Sequence, residues 1–150
     1  MTLAGIHILN APPARVWAIL MEASSLEKIV PGVTSLEKLS EYSYKSTLNI
    51  KLGPVSASFT GNLQLTDIID QKSFTLRAQQ NSKIGNATAT IDISLKPLET
   101  DRTEISFNGN ALLSGVLASM GQRIIGGVSD KMTRQFFEDL EKQLQPEPIV

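Results

Sequence analysis

Apolar and polar residues alternate with a period of two through the middle of the chain. The alternating runs cover residues 42–52, 55–66, 74–78, 87–95 and 105–111. Because successive side chains of a β-strand point to opposite faces, this pattern predicts strands with one buried and one solvent-facing side. Five consecutive strands with short connections, such as Gly53-Pro54 after the first, predict an antiparallel meander.

The face of these strands that is predicted to be covered carries small side chains. They are Ala57, Gly61, Ala78, Ala87, Ala89, Gly109 and Ala111. Small residues either let another element approach closely or leave volume unfilled. Glycines such as Gly61 and Gly109 also relieve the bending of a strongly curved sheet. Both interpretations predict a sheet that curves around another element or around an unfilled space.

Helical signals come before the meander, after a first strand predicted over residues 3–9. Pro12 and Pro13 suit the first turn of a helix, where a missing backbone N–H costs little. A second short helix is predicted from the capping-box spacing of Ser24 and Glu27, and Pro31-Gly32 ends it.

The period changes to that of a helix from about Ser114 to Leu144. Apolar side chains recur there every three or four residues, which predicts one long amphipathic helix. The recurring positions are Leu117, Met120, Ile124, Val128, Met132, Phe136 and Leu140. No linker or internal repeat divides the chain, so we expect a single domain over residues 1–150, with 145–150 as a flexible tail.

Four glycines weaken the first half of this helix. They are Gly115, Gly121, Gly126 and Gly127. Each costs about 1 kcal/mol relative to alanine in a helix interior. One interpretation is close packing of the helix on the sheet. The other is a deformable gate, with Met120 as its adaptable lining and the Ile29–Gly32 turn as the opposite rim.

Composition narrows the classes of function. The 150 residues include 14 Lys and Arg and 15 Asp and Glu, for a net charge of −1, so a nucleic-acid partner is not expected. With no cysteine and a single histidine, His7, the chain lacks thiolate chemistry and multi-histidine metal sites. Neither a secretory signal nor an apolar stretch of transmembrane length is visible. We therefore expect a cytoplasmic protein without metal or cofactor.

Candidates for catalysis are few. His7 has no obvious partner nearby in sequence, and a structural or surface role is the favoured interpretation. Asp67 and Asp70 stand where acidic turn residues are expected. Tyr42 and Tyr44 could donate hydrogen bonds into a cavity, but aromatic strand residues usually pack. We predict no catalytic residue.

Several motifs occur together at fixed spacing along the chain. They are Ala11-Pro12-Pro13-Ala14-Arg15-Val16-Trp17, Ile29-Val30-Pro31-Gly32-Val33 before Leu36-Glu37, Leu52-Gly53-Pro54-Val55 with Phe59, Gly61, Leu63, Leu65, Thr66 and Asp67, and Gly121-Gln122-Arg123-Ile124-Ile125 with Phe136-Phe137. In these motifs, from residue 3 to about 140, the chain resembles the CoxG family of carbon monoxide dehydrogenase subunits. That family is part of the START-like and birch-pollen-allergen-like superfamily with the helix-grip fold.

The resemblance implies an α+β fold, in which a curved antiparallel sheet of about six or seven strands and two short helices enclose an apolar cavity beneath one long helix. We expect a non-enzymatic binder or carrier of a small hydrophobic molecule, quinone- or lipid-like. The resemblance implies that it serves a molybdenum-containing carbon monoxide dehydrogenase or related hydroxylase. The expected ligand-binding residues are Trp17, Ile29, Val30, Leu48, Ile50, Phe59, Leu63, Leu76, Ile91, Phe107, Leu117, Met120 and Ile124.

Two other functions stay open. An aromatase/cyclase-like enzyme would need polar groups that converge inside the cavity. A co-chaperone-like interaction module would need an exposed docking patch in place of a hollow centre. Longer members of the family carry a C-terminal extension suited to a membrane, whereas this chain ends at Val150. We therefore expect at most peripheral contact with the inner face of a membrane.

Overall fold

The structure, a computed structural model, describes residues 1–145, so the predicted tail beyond Gln145 lies outside the described residues. The strands are Thr2–Leu9 (β1), Val33–Ser40 (β2), Ser43–Leu52 (β3), Val55–Ile69 (β4), Ser73–Ser82 (β5), Gly85–Leu98 (β6) and Arg102–Leu113 (β7). The helices are Pro13–Leu20 (α1), Ala23–Ile29 (α2), Gly115–Ser119 (α3) and Gln122–Leu144 (α4). None of these helices is long and apolar enough to cross a bilayer.

All seven strands form one antiparallel sheet in the order β1-β7-β6-β5-β4-β3-β2. The alternation in the sequence sets its two faces: along β3 the even-numbered side chains face inward, while Lys45 and Asn49 face solvent. The pairing places Ser46 opposite Gly61, and Gly61 opposite Gln80 on the next strand. The predicted α+β architecture, with a curved antiparallel sheet and a long C-terminal helix, is confirmed.

Two details of the sheet differ from the prediction. The pattern did not identify β2, because most of its residues are exposed and only Val33 and Leu36 are half-buried. Val55, assigned to the covered face, is 41% exposed because it is the first residue of β4 at the tip of a hairpin.

Gly61 and Gly109 stand where neighbouring strands approach too closely for a side chain. A Cβ on Gly61 would lie 1.8 Å from the carbonyl oxygen of Gln79, and a Cβ on Gly109 would lie 2.3 Å from that of Thr90. Both distances are far inside van der Waals contact. These glycines therefore permit the close, curved approach of the strands that the sequence indicated.

The two short helices begin in different ways. α1 starts directly after Pro12 and buries Val16 and Trp17. The capping box predicted for α2 is wrong, because the helix begins after Glu22 and the Ser24 hydroxyl donates a hydrogen bond to Glu22 Oε1 at 2.6 Å. Ser24 lies within the first turn of the helix, where its side chain can reach back to Glu22 but does not cap the helix.

The C-terminal helix, predicted to be continuous, is broken. α3 ends at Ser119 and α4 begins at Gln122, with Gly121 between them at a φ of 83°. That left-handed conformation is available to glycine without the steric cost that other residues carry. The apolar periodicity continues across the break, which is why the sequence pattern indicates one helix.

The buried face of α4 is turned slightly from the predicted stripe. Phe137, Leu140 and Leu144 are buried, whereas Phe136 and Met132 are only half-buried. Phe137 takes the central place because its ring stacks on that of His7 on β1 and also contacts the ring of Phe107 on β7.

The apolar core consists of two clusters. The larger joins α1, α2, the C-terminal half of α4 and one end of the sheet, and includes Trp17, Leu63 and Leu140. The smaller lies at the other end of the sheet, where Phe59 packs with Leu117 of α3. The first half of α4 passes from one cluster to the other across the covered face.

Candidate functional site

Between the two clusters, the covered face of the sheet is incompletely filled. On β6 the inward side chains of Ile93 and Leu95 are buried, whereas those nearer the start of the strand are half-buried. β7 changes in the same way along its length. Half-burial means that solvent still reaches these side chains, so open space lies above this part of the face. We call this space the hollow; its floor is Ala87, Ala89, Ile91, Gly109 and Ala111.

The glycines at the start of α4 have no packing partners. A Cβ on Gly121, Gly126 or Gly127 would meet nothing within 4 Å. Close packing on the sheet is therefore the wrong interpretation for these three residues. Gly115 differs, since its Cβ would lie 3.1 Å from the Gly85 Cα. α3 is closely seated on the β5–β6 hairpin. In the segment after it, Ile125 and Val128 pack on the smaller cluster, while the glycines leave open space.

A groove of about 510 Å³ lies between β1 and α4. Ligand sites typically measure roughly 300–1,000 Å³. Apolar groups on its wall include Leu3 and Phe107, while α4 contributes a polar rim that includes Asp130 and Arg134. Leu3 pairs with Gly109, which pairs with Ile91 on β6. The β1–α4 groove and the hollow therefore share one row of residues across the sheet.

His7 lies in the β1–α4 groove with a partner from the other end of the chain. Its Nε2 is 2.6 Å from Glu141 Oε1, and its ring stacks on Phe137 with the centroids 4.5 Å apart. The side chains of His7 and Glu141 are 36% and 48% exposed, so water screens their interaction. The contact fixes the position of both side chains.

Polar groups also lie beneath the helices, on the covered face of the sheet. Gln80 and Ser46 are buried there and share a hydrogen bond. Burial raises the pKa of Tyr44, with a smaller contribution from Tyr42, so Tyr44 stays neutral at physiological pH. Within residues 1–145, no group of three His, Asp or Glu side chains is placed to hold a metal ion.

The structure divides the predicted ligand-binding residues between several places. Trp17, Ile29, Leu63, Leu76, Ile91 and Phe107 belong to or pack on the larger cluster. Val30, Leu48, Ile50, Phe59, Leu117 and Met120 belong to or pack on the smaller one. Of the whole set, Phe107 also lines the β1–α4 groove, and Ile124 lines a second depression of about 300 Å³ beside Lys51 and Lys131. Their role in binding stays a prediction.

The sequence reasoning did not identify the β1–α4 groove. Its β1 wall is formed by Leu3, Gly5 and His7, which alternate with exposed residues. That period of two was present in the sequence but is blurred, because the outward positions Ile6 and Ile8 are apolar as well. The pattern therefore showed a strand without showing which of its faces lines a site.

A family comparison covers most of the chain. The family model for CoxG, described as a subunit of carbon monoxide dehydrogenase, matches residues 5–145. The chain belongs to the CoxG family. No curated protein is significantly similar to it in sequence.

Solved structures with the same fold agree with this assignment. A conserved protein from Geobacillus kaustophilus is 28% identical, with a TM-score of 0.91 over 96% of this chain and 95% of that one. The Zhui aromatase/cyclase from a Streptomyces species is 11% identical, with a TM-score of 0.74 over 100% and 99%. A START superfamily protein from Mycobacterium smegmatis is 10% identical, with a TM-score of 0.74 over 96% and 99%. The last two likenesses establish the helix-grip fold of this CoxG-family chain.

Proposed function

We propose that this protein binds and carries a small hydrophobic molecule, quinone- or lipid-like, in the hollow between the sheet and α4. The observation that carries the proposal is that Ala89 and Ala111, on the inward face of the sheet, are only half-buried. A folded core normally packs without voids larger than a water molecule. A covered face left incompletely filled at several neighbouring positions is therefore suited to an apolar guest.

The surroundings of the hollow support this function. The β1–α4 groove meets it along the row that contains Leu3 and Gly109, which offers a path from solvent. The glycines at the start of α4 leave open space beside them, since a Cβ on Gly126 would meet nothing within 4 Å. Most residues expected to bind ligand lie in the two clusters at either end of the hollow.

Native mass spectrometry of the purified chain tests the proposal. We expect a species heavier than the apoprotein by one small molecule, which organic solvent extracts and denaturing conditions remove. Addition of a long-chain phenol or quinone to the stripped protein should restore a one-to-one complex. A chain that stays at its apoprotein mass, and binds none of the added compounds, would contradict the carrier function.

We also propose that the carrier serves a molybdenum-containing carbon monoxide dehydrogenase or related hydroxylase. The support is the family description, which names a subunit of carbon monoxide dehydrogenase. Tagged protein, expressed in its own host, should copurify with such an enzyme and exchange its ligand with it. If the tagged protein copurifies with no molybdenum enzyme although the enzyme is expressed, this role is contradicted. The proposal that the protein binds a ligand would still stand.

An enzymatic role is the competing function, and one observation favours it. His7 and Glu141 form an acid–base pair that lines the β1–α4 groove. Against it, the Phe137 ring covers one face of the imidazole and the carboxylate occupies Nε2. We therefore propose that the pair has a structural role in the groove. Replacement of His7 distinguishes this role from a catalytic one.

A further inference from the structure

The covered face of the sheet carries a buried polar pair between the two apolar clusters. Ser46 on β3 and Gln80 on β5 are 1% and 6% exposed. Gly61 on β4 lies between them in register. Because Gly61 has no side chain, the Gln80 side chain crosses β4, and its Nε2 donates a hydrogen bond to Ser46 Oγ at 2.9 Å.

The sheet fixes the orientation of the Gln80 amide. Besides Ser46 Oγ, its Nε2 has a second acceptor in the backbone carbonyl of Asn62, at 3.5 Å. A backbone carbonyl only accepts hydrogen bonds, so the nitrogen and not the oxygen belongs on this side. The Gln80 Oε1 therefore points away from both acceptors. It is buried, and no residue of the described chain donates a hydrogen bond to it.

The residue that carries this oxygen borders the hollow. Gln80 pairs with Ala87, which is part of the hollow floor, and Ala78 on the same face of β5 is half-buried. In this conformation neighbouring atoms shield Oε1 from solvent. A buried carbonyl without a donor is unfavourable, and a guest that supplies the donor relieves that cost. Access requires that the shielding atoms move, and the glycine-containing start of α4 is the segment that we expect to move.

We propose that Gln80 and Ser46 form the polar end of the ligand site and select a hydrophobic molecule that carries a hydroxyl group. The hydroxyl of the ligand donates a hydrogen bond to Gln80 Oε1. The oxygen of the same hydroxyl accepts a hydrogen bond from Ser46 Oγ–H. This donor is available because, within residues 1–145, Ser46 Oγ accepts a hydrogen bond but donates none. A phenol, a hydroquinone or a long-chain alcohol meets this requirement. Of the two forms of a quinone-like ligand, the pair favours the hydroxyl-bearing, reduced form. The inference rests on the proposed carrier function, whose ligand it narrows.

Two probes that differ in one donor test this selection: para-octylphenol and its methyl ether. We expect the wild-type chain to bind the phenol roughly tenfold more tightly than the ether in isothermal titration calorimetry. Gln80→Leu removes the acceptor, so the two affinities should become equal while that for the ether stays within a few-fold. Gln79→Leu, on the exposed face of the same strand, is the matched control and should keep the wild-type ratio.

The outcomes separate this inference from the function on which it rests. Equal affinities of the two probes for the wild-type chain would overturn the role of the pair and leave the carrier function standing. The same holds if Gln80→Leu keeps the tenfold preference. Binding of neither probe would overturn both proposals. Ser46→Ala supplies a second variant, in which the preference for the phenol should fall several-fold.

Discussion

His7 and Glu141 meet although 134 positions separate them in the sequence. Their contact exists because the inward face of β1 packs against the C-terminal half of α4, where Phe137 supports the imidazole ring. The sequence pattern predicts a strand that contains His7, but the apolar outward residues Ile6 and Ile8 hide which face is the inner one. A partner on another element follows only from the three-dimensional packing, so no spacing rule could have found Glu141.

Replacement of His7 tests whether the pair is structural or catalytic. In His7→Gln we expect the free energy of unfolding to change by less than about 1 kcal/mol, because partly exposed ion pairs contribute little. Affinity for para-octylphenol should stay within a few-fold. Thermal unfolding and calorimetry measure the two quantities, with Glu141→Gln as the matched variant. Loss of a cellular activity while fold and binding persist would favour an enzyme.

Among the secondary-structure elements, some strands can be predicted from the sequence pattern, whereas other segments cannot. β3 to β7 follow from strict alternation, since one face of each is covered. β2 does not, because it is an edge strand with little to bury. The break at Gly121 was also hidden, since glycine is compatible with both a helix and the positive-φ conformation that is observed.

Alanine in place of glycine distinguishes packed from unpacked positions. Gly126→Ala should raise the free energy of unfolding by about 1 kcal/mol, because the new methyl group meets nothing and alanine is the better helix former. Ligand exchange should slow as the start of α4 stiffens. Gly61→Ala is the contrast, since its Cβ would strike the Gln79 carbonyl. Chemical denaturation measures both, and destabilisation by Gly126→Ala would show that this segment is packed.

Amide hydrogen exchange should locate the movable wall of the hollow in the first turns of α4. α3 is held by hydrogen bonds from Ser114 N–H to Asn86 O at 2.9 Å and from Leu117 N–H to Ile84 O at 2.8 Å. We therefore expect faster exchange over residues 121–127 than over 130–140, where Leu140 is fully buried.

A hydrophobic ligand should slow the exchange of residues 121–127 and leave the docked half unchanged. The Ile29–Gly32 turn, proposed as the opposite rim, should be the more fixed wall. Its Gly32 carbonyl accepts a hydrogen bond from Asn49 N–H at 2.9 Å. If amide protection is equal along the whole of α4, with and without ligand, the start of this helix does not act as a gate.

At the scale of the whole molecule, the sequence predicts the architecture better than the site. Periodicity and resemblance are properties of single segments and of their order, and both point to a sheet covered by a helix. Where that covering leaves space depends on how far α4 stands off from residues such as Ala89 and Ala111, which are distant in sequence. Inward-facing positions such as Leu48 and Phe59 were expected to line a cavity, and they pack into a cluster at its end.

Filling the hollow tests the whole arrangement at once. Ala89→Leu places a larger side chain on the half-buried floor, where it should occupy the space proposed for the ligand. Filling a void commonly adds about 0.5–2 kcal/mol to the free energy of unfolding, so the variant should be at least as stable as the wild type. Its affinity for para-octylphenol should nevertheless fall by an order of magnitude or more. Thr88→Leu makes a comparable change on the exposed face of the same strand and should bind normally. Strong destabilisation by Ala89→Leu would mean that the hollow is already packed, and unchanged affinity would place the ligand elsewhere.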